Sequence, residues 1–186
     1  MSTADTARKH YDGARSEITL RMQLRDTVLL AYLGAAGAIF GVALGSSLAK
    51  PQILWVLPFL SLGAAILVAQ HHEVIGSLQH FLVTELQAGY ADEAAPQWNS
   101  SVAFTENSHR QIWWRVAAHF VLIVGPAMFG WYLYVQQRQI DVCDRRSLSY
   151  GLTIVLSFAA LVISHLHRRK LYKRVAGINA ARTFKQ

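Results

Sequence analysis

This sequence has almost no cysteine, and its acidic residues are not arranged in any catalytic motif. Cys143 is the single cysteine among 186 residues, which excludes an intramolecular disulfide and a cysteine-rich zinc site. The 11 acidic residues are scattered, and they form no paired-carboxylate, phosphate-loop, nucleophile-elbow or zinc-helix motif. The sequence therefore predicts a protein that is not an enzyme, with no catalytic residue, no metal site and no cofactor.

Charged residues are also missing from four long apolar runs. These runs contain no Asp, Glu, Lys or Arg, and they cover Val28–Leu48, Ile53–Ala69, Val116–Val135 and Leu148–Leu166. A helix of about 20 apolar residues crosses the hydrocarbon core of a bilayer. A soluble helical bundle would have to bury all four runs. We therefore predict an all-α polytopic membrane protein with four transmembrane helices and helical cytoplasmic extensions.

Positive charge is abundant and unevenly distributed. The chain has 18 Lys and Arg residues and a formal net charge of +7, and 14 of the 18 lie in the two termini and the middle segment. The positive-inside rule then places both termini in the cytoplasm. The predicted segments are a lead-in (1–27), a first hairpin of spans (28–69), a cytoplasmic helix and linker (70–115), a second hairpin (116–166) and a basic tail (167–186).

The cytoplasmic segments carry a helical pattern of their own. After the second span, HHEVIGSLQHFLVTELQ repeats apolar residues at helical spacing, which predicts that the helix continues to about Gln87. The lead-in has a similar stripe, formed by Tyr11, Ala14, Ile18 and Met22. Gly89 and Pro96 predict a linker over 88–101.

Glycine is concentrated in the first span, where Gly34, Gly37, Gly41 and Gly45 lie within twelve residues. Their spacing of three or four residues places them on one face of a helix. Small residues let helices approach closely in lipid, where there is little hydrophobic drive for association. The stripe predicts a packing face, either against another helix of the same chain or between copies in a homo-oligomer.

Ionisable groups are nearly absent at depth, which disfavours a transporter or proton pump. His119 lies about one turn inside the third span, where we expect it near the cytoplasmic interface, and Pro126 with Gly125 can kink the same helix. His71, His72, His165 and His167 lie at the ends of the second and fourth spans. They are either interfacial histidines or a pH-responsive cluster, and their spacing does not favour zinc.

Five basic residues follow the fourth span: Arg168, Arg169, Lys170, Lys173 and Arg174. We expect them to bind anionic lipid headgroups, at about 1 kcal/mol for each charge near the surface. An acidic partner or a nucleic acid is the alternative. Nucleic acid is disfavoured because Tyr172 and Phe184 are the only aromatic residues of this tail, too few for a stacking platform.

The stretch ARSEITLRMQLRDTVLLAYLGAAGAIFGVALG supplies an amphipathic lead-in and a first span, and HHEVIGSLQHFLVTEL supplies a helix that returns into the cytoplasm. In this layout, residues 14–87 resemble the small membrane effectors of bacterial anti-phage defence loci, including the SLATT type. The SLATT type has two spans, whereas four are predicted here. The resemblance implies oligomerisation in the inner membrane and loss of membrane integrity after a cytoplasmic sensor detects infection.

The leading hypothesis is therefore a non-enzymatic membrane protein that self-associates in the bilayer, receives a signal from a cytoplasmic protein partner and perturbs the membrane. A membrane anchor or scaffold that recruits a cytoplasmic partner is the first alternative. A small channel or transporter is the second, and a pore in it would have an apolar lining that gates by wetting and dewetting.

Overall fold

The computed structural model describes residues 3–45, 51–86, 114–138 and 145–183. Every residue in these ranges except Gly45 is helical. The prediction of an all-α protein is confirmed for the described part of the chain. The predicted linker over 88–101 lies outside the described residues.

The first half of the chain forms two long helices. Helix α1 covers Thr3–Leu44, so the lead-in and the first span are one uninterrupted helix. A short 3₁₀ helix, Pro51–Val56, begins at the proline and leads into helix α2, Leu57–Phe81. Proline suits a first helical turn because the missing N–H would have no partner there. A π-helical turn, Leu82–Leu86, ends this element and confirms that the second span runs on almost to Gln87.

The second half forms two further helical elements. Residues 114–119 are helical and are followed by a π-helical turn, Phe120–Val124, and by helix α3, Gly125–Arg138. Helix α4 covers Arg145–Thr183, which includes the fourth span and most of the basic tail. Four helical stretches are long and apolar enough to cross a membrane, as predicted: Asp5–Leu44, Gln52–Leu86, Trp114–Gln136 and Ser147–His167.

The chain divides into two compact units. The span unit consists of Arg25–Ala69 and Arg115–Ile163, and the extension unit consists of Met1–Leu24, Gln70–Trp114 and Ser164–Gln186. The assignment of the extension unit to the cytoplasm stays a prediction.

The extension unit has a small apolar core between α1 and α2. Ala14 and Ile18 of α1 and Ile75 and Leu82 from α2 and its π-helical turn are buried together. The side chains packed against this core are Tyr11, Leu78, Phe81 and Leu86. These residues belong to the two stripes that the sequence predicts, except that Met22 of the lead-in stripe is exposed.

The span unit has a larger core, which includes four alanines. Ala36 and Ala43 of α1 and Ala64 and Ala65 of α2 are buried in it. The larger buried side chains of this core are Leu29, Tyr32, Leu54, Leu57, Val68, Ile123, Val124, Tyr134 and Leu161. Small residues allow close approach of helices, and in α1 the small residues that are buried are alanines and not the glycines of the stripe.

Candidate functional site

The third span changes its helical register at its centre. The N–H of Gly125 donates to the carbonyl of Phe120, five residues earlier, which is the bond of a π-helical turn. Pro126 follows at once and has no N–H to donate. In a regular α-helix its ring would clash with the carbonyl of Leu122, four residues earlier. The wider turn moves the carbonyls that precede the proline, and this is a physical reason for the register change at this position.

The carbonyl oxygen of Ile123, inside this turn, accepts hydrogen bonds from two other helices. The hydroxyl of Tyr32 in α1 donates to it at 2.7 Å, and the hydroxyl of Ser61 in α2 donates to it at 3.0 Å. A carbonyl oxygen has two lone pairs and can accept both bonds. All three residues are buried. We call this arrangement the Ile123 junction, because one backbone atom joins three of the four span helices.

An aromatic cluster lies elsewhere in the span unit. Trp55 of the 3₁₀ helix is in edge-to-face contact with Tyr134 of α3 and Tyr150 of α4, with ring centroids 6.5 Å and 6.2 Å away. The two tyrosine rings stack at 6.4 Å. The hydroxyl of Tyr150 donates to the carbonyl of Leu54 at 3.0 Å, so the tyrosine also satisfies a backbone group. Such aromatic pairs contribute to packing beyond the area that they bury.

Gly130 of α3 lies in close contact with this cluster. A Cβ atom at this position would lie 2.6 Å from Leu57 Cδ1 and 2.9 Å from the hydroxyl oxygen of Tyr150. Both distances are too short for a carbon atom, so only glycine fits without displacing its neighbours. Next to it, the indole N–H of Trp131 lies 3.1 Å from the hydroxyl of Ser147 and donates to it. The sequence analysis assigns no role to Gly130, and the contact shows that it has one.

The glycine stripe of α1 lies on the opposite face from the alanines that pack. At 100° per residue, Gly34 and Gly41 are about half a turn away from Ala36 and Ala43. Gly34, Gly37 and Gly41 are exposed, and among the described residues nothing lies within 4 Å of a Cβ built at any of them. At Gly45 such an atom would meet only the backbone of Gly41. The described part of the chain therefore does not use this face for packing, and an interface between copies stays a prediction.

The basic residues after the fourth span are helical, because α4 continues to Thr183. Lys170 is exposed and Arg169 is partly buried. The side chains of Arg168, Lys173 and Arg174 lie outside the described part of the structure. Lipid binding by this group stays a prediction.

The histidines of the sequence analysis differ in exposure. His71, His72 and His119 are buried, His165 is partly buried and His167 is exposed. Burial of His119 fits a helix face that packs within the span unit. In the part of the chain that the structure describes, no three His, Cys, Asp or Glu residues are grouped so that they could hold a metal ion.

No role was predicted from the sequence for the hydroxyl groups of the span unit. Tyr32, Ser61 and Tyr150 are polar residues inside otherwise apolar helices, and each donates to a backbone carbonyl of another element. Their presence in apolar runs was the available signal. Chemically, these bonds position helices, because each hydroxyl is engaged with the backbone.

The class that this architecture defines is an all-helical protein with four helices able to cross a membrane, which fits a multi-pass membrane protein. Comparison of the chain with protein-family models, curated proteins and solved structures found no match.

Proposed function

We propose that this protein self-associates in a bacterial inner membrane and perturbs the bilayer when a cytoplasmic protein partner triggers it. The observation that carries the proposal is the exposed glycine stripe of α1. Gly34, Gly37 and Gly41 form a smooth strip on an apolar helix, with open space where side chains would be. In lipid, close backbone approach along such a strip is a source of helix association.

The strip is suited to a second copy because the single chain leaves it open on the face opposite its own packing alanines. Leu30 is 72% exposed and Val42 is 51% exposed, so apolar side chains flank the glycines. Glycines with larger apolar neighbours form a groove into which a facing helix can fit. This supports oligomerisation through α1.

We propose that the cytoplasmic partner binds the extension unit. Its core is formed by α1 and α2, and both helices also contribute residues to the span unit. A partner that changes the packing around Ile18 and Ile75 thus acts on helices that continue into the spans. The basic residues of α4, including Lys170, would bind anionic headgroups of the inner leaflet or an acidic face of the partner.

A matched pair of glycine variants tests the proposal. Gly41 and Gly63 are both exposed in apolar helices with nothing within 4 Å of a built Cβ, but only Gly41 lies in the stripe. Gly41→Leu is expected to give a smaller species in native detergent or nanodisc mass measurement, and to abolish depolarisation of cells that express the protein with its trigger. Gly63→Leu is expected to change neither. Equal behaviour of the two variants would remove the support for self-association.

The alternative functions give other outcomes in the same cells. A pure anchor leaves the membrane potential intact under a verified trigger, and its deletion delocalises a soluble partner. A channel gives ion-selective conductance in planar bilayers without admission of a large dye. Intact potential in cells with a verified trigger counts against the effector proposal.

Topology is tested separately, with reporter fusions and thiol labelling. Fusions at Gln97 and Gln186 are expected to report a cytoplasmic position, and a fusion at Asp141 a periplasmic one. Cys143 should react with a membrane-impermeant thiol reagent in whole cells. A periplasmic result at Gln97 would contradict the predicted orientation of all four spans.

A further inference from the structure

We propose that the Ile123 junction is a latch, which holds the third span in its π-helical register and keeps the protein in its resting state. The proposal goes one step beyond the function given above and rests on it only for the cellular consequence. The structural part stands on the geometry of the span unit alone.

The turn can adopt two registers. In the observed register, the N–H of Gly125 donates to the carbonyl of Phe120, five residues earlier. In the alternative α-helical register it would donate to the carbonyl of Val121, four residues earlier. A π-helical turn contains one residue more than the α-helical turn it replaces, and such turns are frequent at functional sites. The α-helical turn would bring the Pro126 ring against the carbonyl of Leu122, so the proline already favours the wider turn, and any bond that holds the wider turn adds to this effect.

The two hydroxyls favour the observed register. In lipid a backbone carbonyl without a hydrogen-bond donor is costly, because no water is present to donate a bond to it. Tyr32 and Ser61 both donate to the carbonyl of Ile123, at 2.7 Å and 3.0 Å, and they come from two different helices. Their bonds exist only while that carbonyl points at both of them. A change of register turns the carbonyl away and breaks both bonds.

A change of register also moves the rest of the helix. When a π-helical turn becomes an α-helical turn, it holds one residue fewer, and the segment before it rotates by about 100° relative to the segment after it. The residues that precede the turn, including Arg115 and His119, would then present a different face to the span unit. A disturbance of α1 or α2 that displaces Tyr32 or Ser61 would thus be converted into rotation of the start of the third span.

Hydrogen–deuterium exchange in lipid nanodiscs tests the latch without any trigger. The variants are Tyr32→Phe, Ser61→Ala and the double variant. Exchange of peptides that cover 120–127 is expected to rise about threefold for each single variant and nearly tenfold for the double variant, from the average strength of hydrogen bonds between membrane helices.

Two control variants match these changes. Ser157 is a buried serine in α4 whose hydroxyl donates to the carbonyl of Thr153 in the same helix, at 2.8 Å. Tyr150 is a buried tyrosine that donates to Leu54 instead. Ser157→Ala and Tyr150→Phe should leave exchange over 120–127 unchanged, although Tyr150→Phe should raise it near Leu54.

The outcomes distinguish the latch from the proposed function. Unchanged exchange over 120–127 in the folded double variant, or a uniform rise across all helices, overturns the latch, because the hydroxyls then do not hold that turn in particular. If exchange rises locally, the double variant is next tested in cells, where we expect depolarisation without the trigger. A local rise with an intact membrane potential leaves the latch standing and counts against the effector function.

Discussion

Each of the two units has an apolar core, and in the span unit hydroxyl groups also join different helices. In the span unit, Tyr32, Ser61 and Tyr150 donate hydrogen bonds to backbone carbonyls of other elements. In the extension unit, Ser77 and Thr84 donate to the carbonyl four residues earlier in their own helix, and α1 and α2 share a small apolar core.

The difference follows from the surroundings that the sequence predicts for each unit. Where water is absent, apolar side chains gain little by meeting each other, and polar groups gain more by finding a partner. Where water is present, burial of apolar area is the main drive for packing, and hydroxyls on an exposed helix face have water as a second partner. The comparison therefore predicts different responses to the same kind of substitution in the two units.

The largest difference is expected for truncation of a fully buried leucine. Leu82 of the extension unit and Leu57 of the span unit are both completely buried. Leu82→Ala should lower the free energy of opening of its unit by about 2–5 kcal/mol. The variant loses the free energy of transferring the removed methyl groups out of water, and it also leaves a cavity. Leu57→Ala should cost only roughly 1–2 kcal/mol, because little of the transfer term applies between helices in lipid.

Hydrogen exchange of peptides from each unit, measured in nanodiscs, gives these two free energies separately. Equal losses for the two variants would break the comparison. They would mean that the extension unit does not meet water, and its assignment to the cytoplasm would then have to be abandoned.

The second prediction compares two glycines within the span unit. Gly130→Ala places a methyl group 2.6 Å from Leu57 Cδ1 and should destabilise the unit by about 1–3 kcal/mol through overpacking. Within a single chain Gly41→Ala meets nothing within 4 Å, so in the detergent-solubilised monomer it should be neutral or stabilising by up to about 1 kcal/mol, because alanine is the better helix former. Thermal unfolding in detergent measures both. A loss in the monomer at Gly41 as large as that at Gly130 would show that the stripe face is packed against another part of the same chain.

The contrast between these glycines also shows how much the sequence could predict. Apolar runs, helical stripes and the proline at position 51 predict the helices and both partners of the extension core, because these depend on local pattern and on burial. The stripe of Gly34, Gly37 and Gly41 has the clearer pattern, yet the close contact is at Gly130. A close approach depends on which helix faces which, and a periodic pattern on one helix does not contain that information.

The same limit applies to the Ile123 junction. Pro126 predicts a disturbance of the third span, and the π-helical turn lies directly before it. Which hydroxyls satisfy the displaced carbonyl depends on residues 62 and 91 positions away along the chain. Contacts between residues so far apart in the chain depend on how the helices assemble, and no local pattern in the sequence records this.

The third prediction concerns the bond between Tyr150 and Leu54. Tyr150→Phe removes a donor at 3.0 Å from the Leu54 carbonyl and should cost about 1 kcal/mol, since bonds between membrane helices are individually modest. Tyr132→Phe is the control, because Tyr132 is 56% exposed.

A double variant makes this test more specific to the packing at Gly130. The Tyr150 hydroxyl is one of the two atoms that a side chain at Gly130 would meet. Gly130→Ala combined with Tyr150→Phe should therefore cost less than the sum of the single changes, because residues in contact are not additive. Full additivity would contradict the close contact.

The smallest effect is expected for the ion pair of Glu17 and Arg21 on α1, whose Oε1 and Nε atoms are 2.6 Å apart. Both side chains are about one-third exposed, and pairs spaced four residues apart on a helix contribute roughly 0.3–0.5 kcal/mol. Glu17→Gln should lower the stability of the extension unit by that amount at low salt. The loss should nearly vanish at 1 M salt, where the Debye length is about 3 Å.

The cost of Tyr150→Phe should not change with salt, because that bond is buried and neutral. A salt-dependent loss at Glu17 together with a salt-independent loss at Tyr150 would sharpen the comparison of the units, since only one of them would then be in contact with the ionic solvent. A loss at Glu17 that persists at 1 M salt would instead place this turn of α1 where counterions do not reach, and the membrane boundary on α1 would have to be moved toward its N-terminus.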